Sequence, residues 1–437
     1  MADEWTKATL GDICSFASGS VFPQSEQGDA HGTYPFIKVS DMNLPGNERF
    51  ITVANNWIGE KTQTRLRAKA HPKGATVFAK IGVALTYNRR RILSQPTIID
   101  NNMMAAIAET GRVHPLFFYY LLRTIDFNEV VVGTALPYLN IGDLKRIAVT
   151  LPSPKQQQAI ACILGALDDK IELNRRMNQT LEATARAIFK SWFVDFDPVR
   201  AKASGQQPPG LNPEIAALFP NRFEKSELGE IPKGWDSRPL PDIIHVNPPR
   251  SLSKGTLAPY LDMSNMPTQG PSPDSWVLRE MGSGMKFING DTLVARITPC
   301  LENGKTAYVN FLADGVVAWG STEYIVLRPK GAIPTVFAYL LARTDDFRSF
   351  AIQQMTGSSG RQRVPADSLA KYHLTTPEIA SPLFRCFGNL VSPMLERMKV
   401  AAEENRSLAA LRDGLLPRLV SGDLPVAEAE RIAGRCA

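Results

Sequence analysis

Three short stretches pair cations with hydrogen-bonding groups at positions that read as loops. Tyr87-Asn88-Arg89-Arg90-Arg91 sets an aromatic ring, an amide and three guanidinium groups side by side. Guanidinium forks suit phosphate oxygens and guanine edges, so this group suits nucleic acid. The alternative is a solvated basic turn. Gly357-Ser358-Ser359-Gly360-Arg361-Gln362-Arg363 is flexible, polar and basic. Its counterpart, Gly133-Thr134-Ala135-Leu136-Pro137-Tyr138-Leu139-Asn140, carries no charge. Two readers of different sequences would differ in this way. Lys80 and Arg296 hold equivalent strand ends, where they anchor phosphates or merely solvate an edge. Lys38, Ser40 and Ser264, from another matched pair of strands, complete the candidate set.

Catalytic chemistry is harder to find. Asn247-Pro248-Pro249-Arg250 approaches the Asn-Pro-Pro-aromatic loop of amino-methyltransferases, but Arg250 cannot stack a flipped base as an aromatic ring does. No Gly-rich strand-turn-helix for S-adenosylmethionine is present. Pro299-Cys300-Leu301-Glu302-Asn303-Gly304-Lys305-Thr306 resembles a phosphate loop whose leading Gly is Pro299. Proline has no N–H to offer a phosphate and cannot adopt positive φ. The five histidines, His31, His71, His114, His245 and His373, are isolated. Large modules without catalytic machinery point to binding.

The chain has 437 residues, enough for two to three domains. A hydrophobic fraction of 44% and a charged fraction of 21% suit a soluble globular protein. The net charge of +6 lies mainly in the two globular segments and permits a nucleic-acid partner. No apolar run is long enough to span a bilayer, and the N-terminus lacks a signal-peptide shape. The five cysteines are scattered and never in CxxC spacing, which fits reduced thiols, a cytoplasmic location and no zinc site.

These candidate residues sit on a duplicated module. Trp5, Leu10 and Ile13 answer Trp235, Leu240 and Ile243. Pro35 to Ser40 answers Pro259 to Ser264, and Gly74 to Ile81 answers Gly290 to Ile297. The helical stretch Pro115 to Leu122 answers Pro334 to Leu341, and Gly133-Thr134 answers Gly357-Ser358. Each globular copy is followed by a rod. Ile160, Leu164, Leu167, Ile171, Asn174, Asn178, Leu181, Ala185, Ile188 and Trp192 step by fours and threes, the spacing of a heptad seam. Gly165 is the only glycine and no proline occurs between Lys155 and Asp197, so nothing forces a break. In the second rod, Phe387, Leu390, Met394, Arg397, Ala401, Glu404, Leu408, Leu411 and Leu415 take similar steps. Ser392-Pro393 reads there as an N-cap and first helical residue, so a kink or restart is expected.

The expected organisation is a first domain at 1–150, a central helix at 151–199 and a connector at 200–229. A second domain at 230–376, a C-terminal helix at 377–425 and a frayed tail at 426–437 follow. The fold class is α+β, with two tandem α/β domains separated by long helices that pair as an antiparallel coiled coil.

The run Phe189-Lys190-Ser191-Trp192-Phe193-Val194-Asp195-Phe196-Asp197-Pro198-Val199 carries a further signal. With Leu218-Phe219-Pro220 and Leu228-Gly229-Glu230-Ile231-Pro232-Lys233-Gly234-Trp235, it resembles the central region of type I restriction–modification DNA specificity subunits. The resemblance extends over nearly the whole chain, and Pro393 departs from it. It implies that each globular domain is a target recognition domain reading one half of a split DNA sequence. The helices would set the spacing and dock two modification methyltransferase subunits. S-adenosylmethionine, and ATP with Mg for restriction, would belong to the modification and restriction/translocase partners, with no cofactor or metal on this chain. The two Gly-Ser/Thr loops, and the turn at Arg89 to Arg91, match the family's recognition loops. Two other readings compete. A fused methyltransferase would need the missing cofactor motif, and a pure coiled-coil scaffold leaves the two unlike loops unexplained.

Overall fold

The computed structural model describes residues 5–133, 136–226, 229–358 and 360–436. The chain forms two compact units, residues 1–171 with 407–437, and residues 172–406.

In the first unit a five-stranded sheet has the order Cys14–Ser18, Met103–Ala108, Thr76–Ala79, Arg91–Leu93, Phe50–Ile51. A four-stranded sheet has the order Trp57–Ile58, Tyr34–Ile37, Thr97–Ile99, Ala70–His71, with Phe36 opposite Ile98 in a parallel pair. All four residues of Thr76–Ala79 are buried, as expected of a strand covered on both faces. Alternation sends Phe78 into one core and Val77 into another. The Phe78 core continues through the helix Pro115–Thr124 to Ile160, Leu164, Leu167 and Ile171 of the first long helix. Leu408, Leu415 and Leu419 of the second long helix close it.

One buried carboxylate ties these layers together. Asp168 accepts hydrogen bonds from Tyr120 Oη and Arg412 Nη1, each at 2.6 Å. Arg49 and Arg123 approach it at 4.0 and 3.8 Å. Burial, reinforced by Asp168, raises the Tyr120 pKa and keeps its hydroxyl a donor. At Gly165 an added Cβ would press on Leu116 at 3.3 Å and make ordinary contact, 3.6 Å, with the Arg49 guanidinium, whose Nη1 donates to the Gly165 carbonyl at 3.4 Å.

The second unit repeats the plan. One sheet has the order Ile244–Val246, Tyr324–Pro329, Thr292–Ala295, Thr306–Tyr308. The other has the order Val277–Glu280, Leu257–Leu261, Ala318–Gly320, Met285–Phe287, again with one parallel pair. The helix Val336–Ala342 is buried along its whole length. Phe189, Trp192 and Phe193 of the motif that carries the resemblance meet Phe337 and Phe387, with ring centroids 5.0–6.2 Å apart across the helix contacts. Tyr339 Oη donates to Glu182 at 2.5 Å, the same role Tyr120 plays toward Asp168.

The long helices span Pro154–Phe193 and Pro382–Ser421. In the second unit Asn174 Nδ2 donates to Glu404 at 2.7 Å and to Asn405 at 3.0 Å, and Asn178 Nδ2 donates to the Met398 carbonyl at 3.3 Å. Residue numbers rise on one helix as they fall on the other, so the pairing is antiparallel. The first seam is placed as its spacing predicts at Ile160, Leu164, Leu167, Ile171, Asn174, Ala185 and Trp192, all buried, while Asn178, Leu181 and Ile188 are partly covered.

The second helix differs from expectation in two ways. Leu390 is 38% exposed, and the buried line runs through Phe387, Val391, Leu395, Met398, Ala401, Leu408 and Leu415. Its steps of four, four and three near the start follow the 3.6-residue helical turn rather than a strict heptad. Met394 and Leu411 flank this line half-covered. The helix also runs unbroken past Pro393. Proline's φ is compatible with a helix, and Pro393 and Asn389 are both exposed, so the carbonyl that loses its partner can meet water.

The stretch 200–229, expected to be a connector, contains two short helices, Asp197–Ala203 and Pro213–Ala217, and the strand Phe223–Ser226 paired with Gly229–Pro232. Val199 and Phe219 are buried, with Phe219 edge-on to Trp192 at 5.2 Å. The C-terminal residues expected to fray form the helix Val426–Cys436, anchored by the buried Leu424 and Ala429.

Replacing Asp168 with Ala strips a buried carboxylate from one tyrosine and three arginines, and is expected to cost about 3–5 kcal/mol. Replacing its 73%-exposed neighbour Asp169 should cost less than about 1 kcal/mol. Denaturant unfolding of both variants checks this contrast.

Candidate nucleic-acid interface

In both units a strand ends where three segments of backbone converge. In the first, the Lys80 N–H donates to Asn102 O at 2.9 Å and the Lys80 carbonyl accepts from Leu139 N at 2.9 Å. Gly82 N donates to Pro137 O at 2.8 Å, and Val132 and Tyr138 exchange two bonds of 3.0 Å. In the second, Arg296 N donates to Glu323 O at 3.0 Å and the Arg296 carbonyl accepts from Val364 N at 2.9 Å. Thr298 N donates to Gln362 O at 3.1 Å, and Thr356 and Arg363 exchange two bonds of 2.9 Å. The frames coincide bond for bond. They pair Lys80 with Arg296, Asn102 with Glu323, and Tyr138 with Arg363.

The loop closed by this frame needs glycine at its second residue. Gly133 and Gly357 have φ of 87° and 117°, where L side chains are strained. A Cβ would stand 3.0 Å from the Leu136 carbonyl oxygen in one and 3.3 Å from that of Arg361 in the other. The second loop is one residue longer, 356–363 against 132–138.

The side chains on this common frame are unlike. Arg363 Nε donates to both oxygens of Glu323 at 2.9 and 3.0 Å, and Arg296 Nε lies 3.7 Å from the same carboxylate. Arg361 is exposed, and Gln362 and Arg363 are half-exposed. In the first unit Lys80 Nζ reaches Ser18 Oγ at 3.3 Å, Asn102 is exposed, and Tyr138 is 45% exposed. Lys38 is half-buried and reaches Gln27; burial raises the pKa of Asp100, and hydrogen bonds from Asn102 and the charge of Lys38 offset that only in part. Ser40 and Ser264 are exposed, and Ser264 Oγ donates to Asp262. Ser358 is exposed, while Thr134 and Ser359 lie outside the described residues.

A family model described as the type I restriction modification DNA specificity domain matches residues 2–183. The specificity subunit of the type I restriction enzyme MjaIX of Methanocaldococcus jannaschii is 26% identical, over 97% of this chain and 94% of that protein. The HindI specificity subunit of Haemophilus influenzae is 24% identical, over 96% of this chain and 100% of its own length. The chain thus resembles type I restriction–modification specificity subunits over nearly its whole length. The fold agrees. The crystal structure of a type I restriction–modification S subunit from M. genitalium matches with a TM-score of 0.57 at 14% identity, over 96% of both chains.

In this chain the basic turn divides into exposed and interior residues. Tyr87 is 61% exposed, and the exposed Arg89 stacks on it at 4.7 Å. Arg90, expected among the DNA-binding residues, is 3% exposed. Its Nη2 donates to Ile125 O at 2.7 Å, and its guanidinium lies 3.9 Å over Phe127. Burial pulls its pKa down to about 10. A guanidinium so enclosed cannot reach a nucleic acid, and its burial comes from Ile125 and Phe127, far along the chain. Asn88 takes positive φ and turns its amide inward, accepting from Phe127 N at 3.0 Å. Arg91 is half-buried, with Nη1 donating to the Arg90 carbonyl at 2.8 Å.

The near-motifs acquire structural roles. Arg250 Nη2 donates to the fully buried Asp291 at 3.0 Å, and Arg328 joins at 2.8 Å. Lys305 donates to the Met263 carbonyl at 2.5 Å. Asn102 and Glu323 were not among the sequence candidates. Each precedes a buried strand by one residue, and only the frame bonds single them out.

Arg90→Ala is expected to destabilise the first unit by about 2–4 kcal/mol, through a lost charged hydrogen bond and a buried cation–π contact. Arg89→Ala should leave stability within about 0.5 kcal/mol and lower DNA affinity, with a salt slope shallower by about one. Unfolding curves and binding at two salt concentrations separate the two.

Proposed function

We propose that this chain is the non-catalytic, sequence-reading subunit of a type I restriction–modification complex. Each duplicated domain reads one half of a bipartite DNA target, and the paired helices set the distance between the halves. Two modification methyltransferase subunits dock on the chain, and restriction/translocase subunits join the complex. S-adenosylmethionine is bound by the modification subunits.

One observation carries this reading. The two domains share a backbone frame bond for bond and display unlike polar side chains on it. Duplication of a catalytic module would preserve reacting groups, whereas here the scaffold persists and the exposed chemistry changes. Backbone positions and side-chain edges divide in this way when sequence is read on DNA.

The test is methylation-aware sequencing of DNA from cells carrying the complete system. A motif of two half-sites separated by a fixed spacer is expected, and replacing residues 1–150 with those of another such subunit should change one half-site alone. Inserting four residues at Thr180-Leu181-Glu182-Ala183 lengthens the first long helix by about 6 Å. The spacer should grow by roughly one to two base pairs at 3.4 Å each, with both half-sites unchanged. A seven-residue insertion keeps the seam in phase and serves as the control. An unchanged spacer in an active complex would show that the helices do not measure DNA.

The purified chain is expected to bind no S-adenosylmethionine. Stoichiometric binding in calorimetry would support the rival reading, a methyltransferase with its own site.

A further inference from the structure

Three frame positions differ in chemistry while their backbone is held constant. In the first unit they carry Lys80, Asn102 and Tyr138, and in the second Arg296, Glu323 and Arg363. All six side chains are at least partly exposed. In the second unit the three side chains form one cluster, a carboxylate facing two guanidinium groups.

The cluster's geometry restricts what Arg363 can do. Glu323 holds its Nε, and Arg363 Nη1 donates to the Arg361 carbonyl at 3.1 Å. A long side chain that would otherwise sample many rotamers is fixed at two of its nitrogens. A phosphate contact needs little such fixing, because any approach of a cation serves. Reading a base edge needs it, because a fork must meet guanine O6 and N7 in one plane. Glu323 also offsets one of the two positive charges, so the cluster gives up attraction for phosphate and gains a defined orientation. In the first unit the equivalent position is an amide, Asn102, the group suited to adenine N6 and N7.

We propose that base preference in each domain is set by this framed triplet of positions, with Glu323 acting as a positioning residue that orients Arg363 toward a guanine. The inference rests on the function proposed above and names the residues that execute it.

The experiment uses the full chain in its complete host system, with the methylated motif as readout, together with competition binding of the assembled complex to cognate and substituted duplexes. Glu323→Gln keeps the side-chain size and removes the ionic hold. It should relax one guanine position in the half-site read by the second domain, lowering discrimination there on the order of tenfold, with the other half-site and the salt slope unchanged. Arg363→Ala should relax the same position, and Asn102→Ala should relax one position in the other half-site. Glu323→Asp, which keeps the charge, should restore part of the discrimination that Glu323→Gln loses.

The inference is overturned if Arg363→Ala weakens binding to all duplexes equally and flattens the salt slope by about one, the signature of a phosphate contact. It is also overturned if the motif is unchanged in all three loss variants. Thermal unfolding checks that each variant is folded, and Arg363→Ala and Asn102→Ala alter exposed side chains and carry the test if Glu323→Gln is unstable. Absence of any bipartite motif with the unaltered chain would instead sink the proposed function itself.

Discussion

The structure depends on the burial of an apolar seam between two long helices, punctuated by polar groups that admit one alignment. A seam of Ile, Leu and Phe alone tolerates sliding by a turn, because each step re-buries similar area. The Asn174 amide does not tolerate it. It is 2% exposed and donates to Glu404 and Asn405, so any slip would strand it without partners. In the first unit Asp168 imposes the same discipline more strongly, since a displaced carboxylate would face Tyr120 and Arg412 across the wrong distance. Apolar area supplies the affinity of the helices for each other, and these few polar groups supply the register.

The domains inherit that precision through the buried helices Pro115–Thr124 and Val336–Ala342. Tyr120 and Tyr339 are equivalent residues, and each donates its hydroxyl to a carboxylate on the first long helix. The partners are not equivalent. Asp168 and Glu182 lie fourteen residues apart on one helix. The two latches are therefore chemically alike but differently placed, and each fixes a domain to helix rather than to loop.

Much of this was legible in the sequence because the signals are periodic or repeated. The seam of the first helix, the tandem duplication and the paired strand ends at Lys80 and Arg296 are local patterns, and the structure places them as patterned. What escaped reading depended on partners distant in the chain. Val391 replaced Leu390 on the buried line because the heptad and the 3.6-residue turn diverge over a few turns. Pro393 looked like a helix start because proline's tolerance depends on whether its orphaned carbonyl is solvated. Arg90 reads as one of three arginines in a row, and its burial comes from Ile125 and Phe127. Asn102 and Glu323 carry no motif at all. The composition of 200–229 suggests a connector, yet Phe219 packs against Trp192.

The frame around the loops at Gly133 and Gly357 is made of main-chain hydrogen bonds apart from one obligatory glycine in each. Main-chain bonds are blind to side-chain identity, and the second loop accommodates an extra residue without losing any of them. A chain under pressure to change its target can therefore drift at exposed positions, or gain a residue, with little penalty to folding. Substitution costs little where these side chains are exposed and much at the buried seam. New specificities become reachable by single steps through folded intermediates, and the architecture is in that sense pre-adapted to diversify.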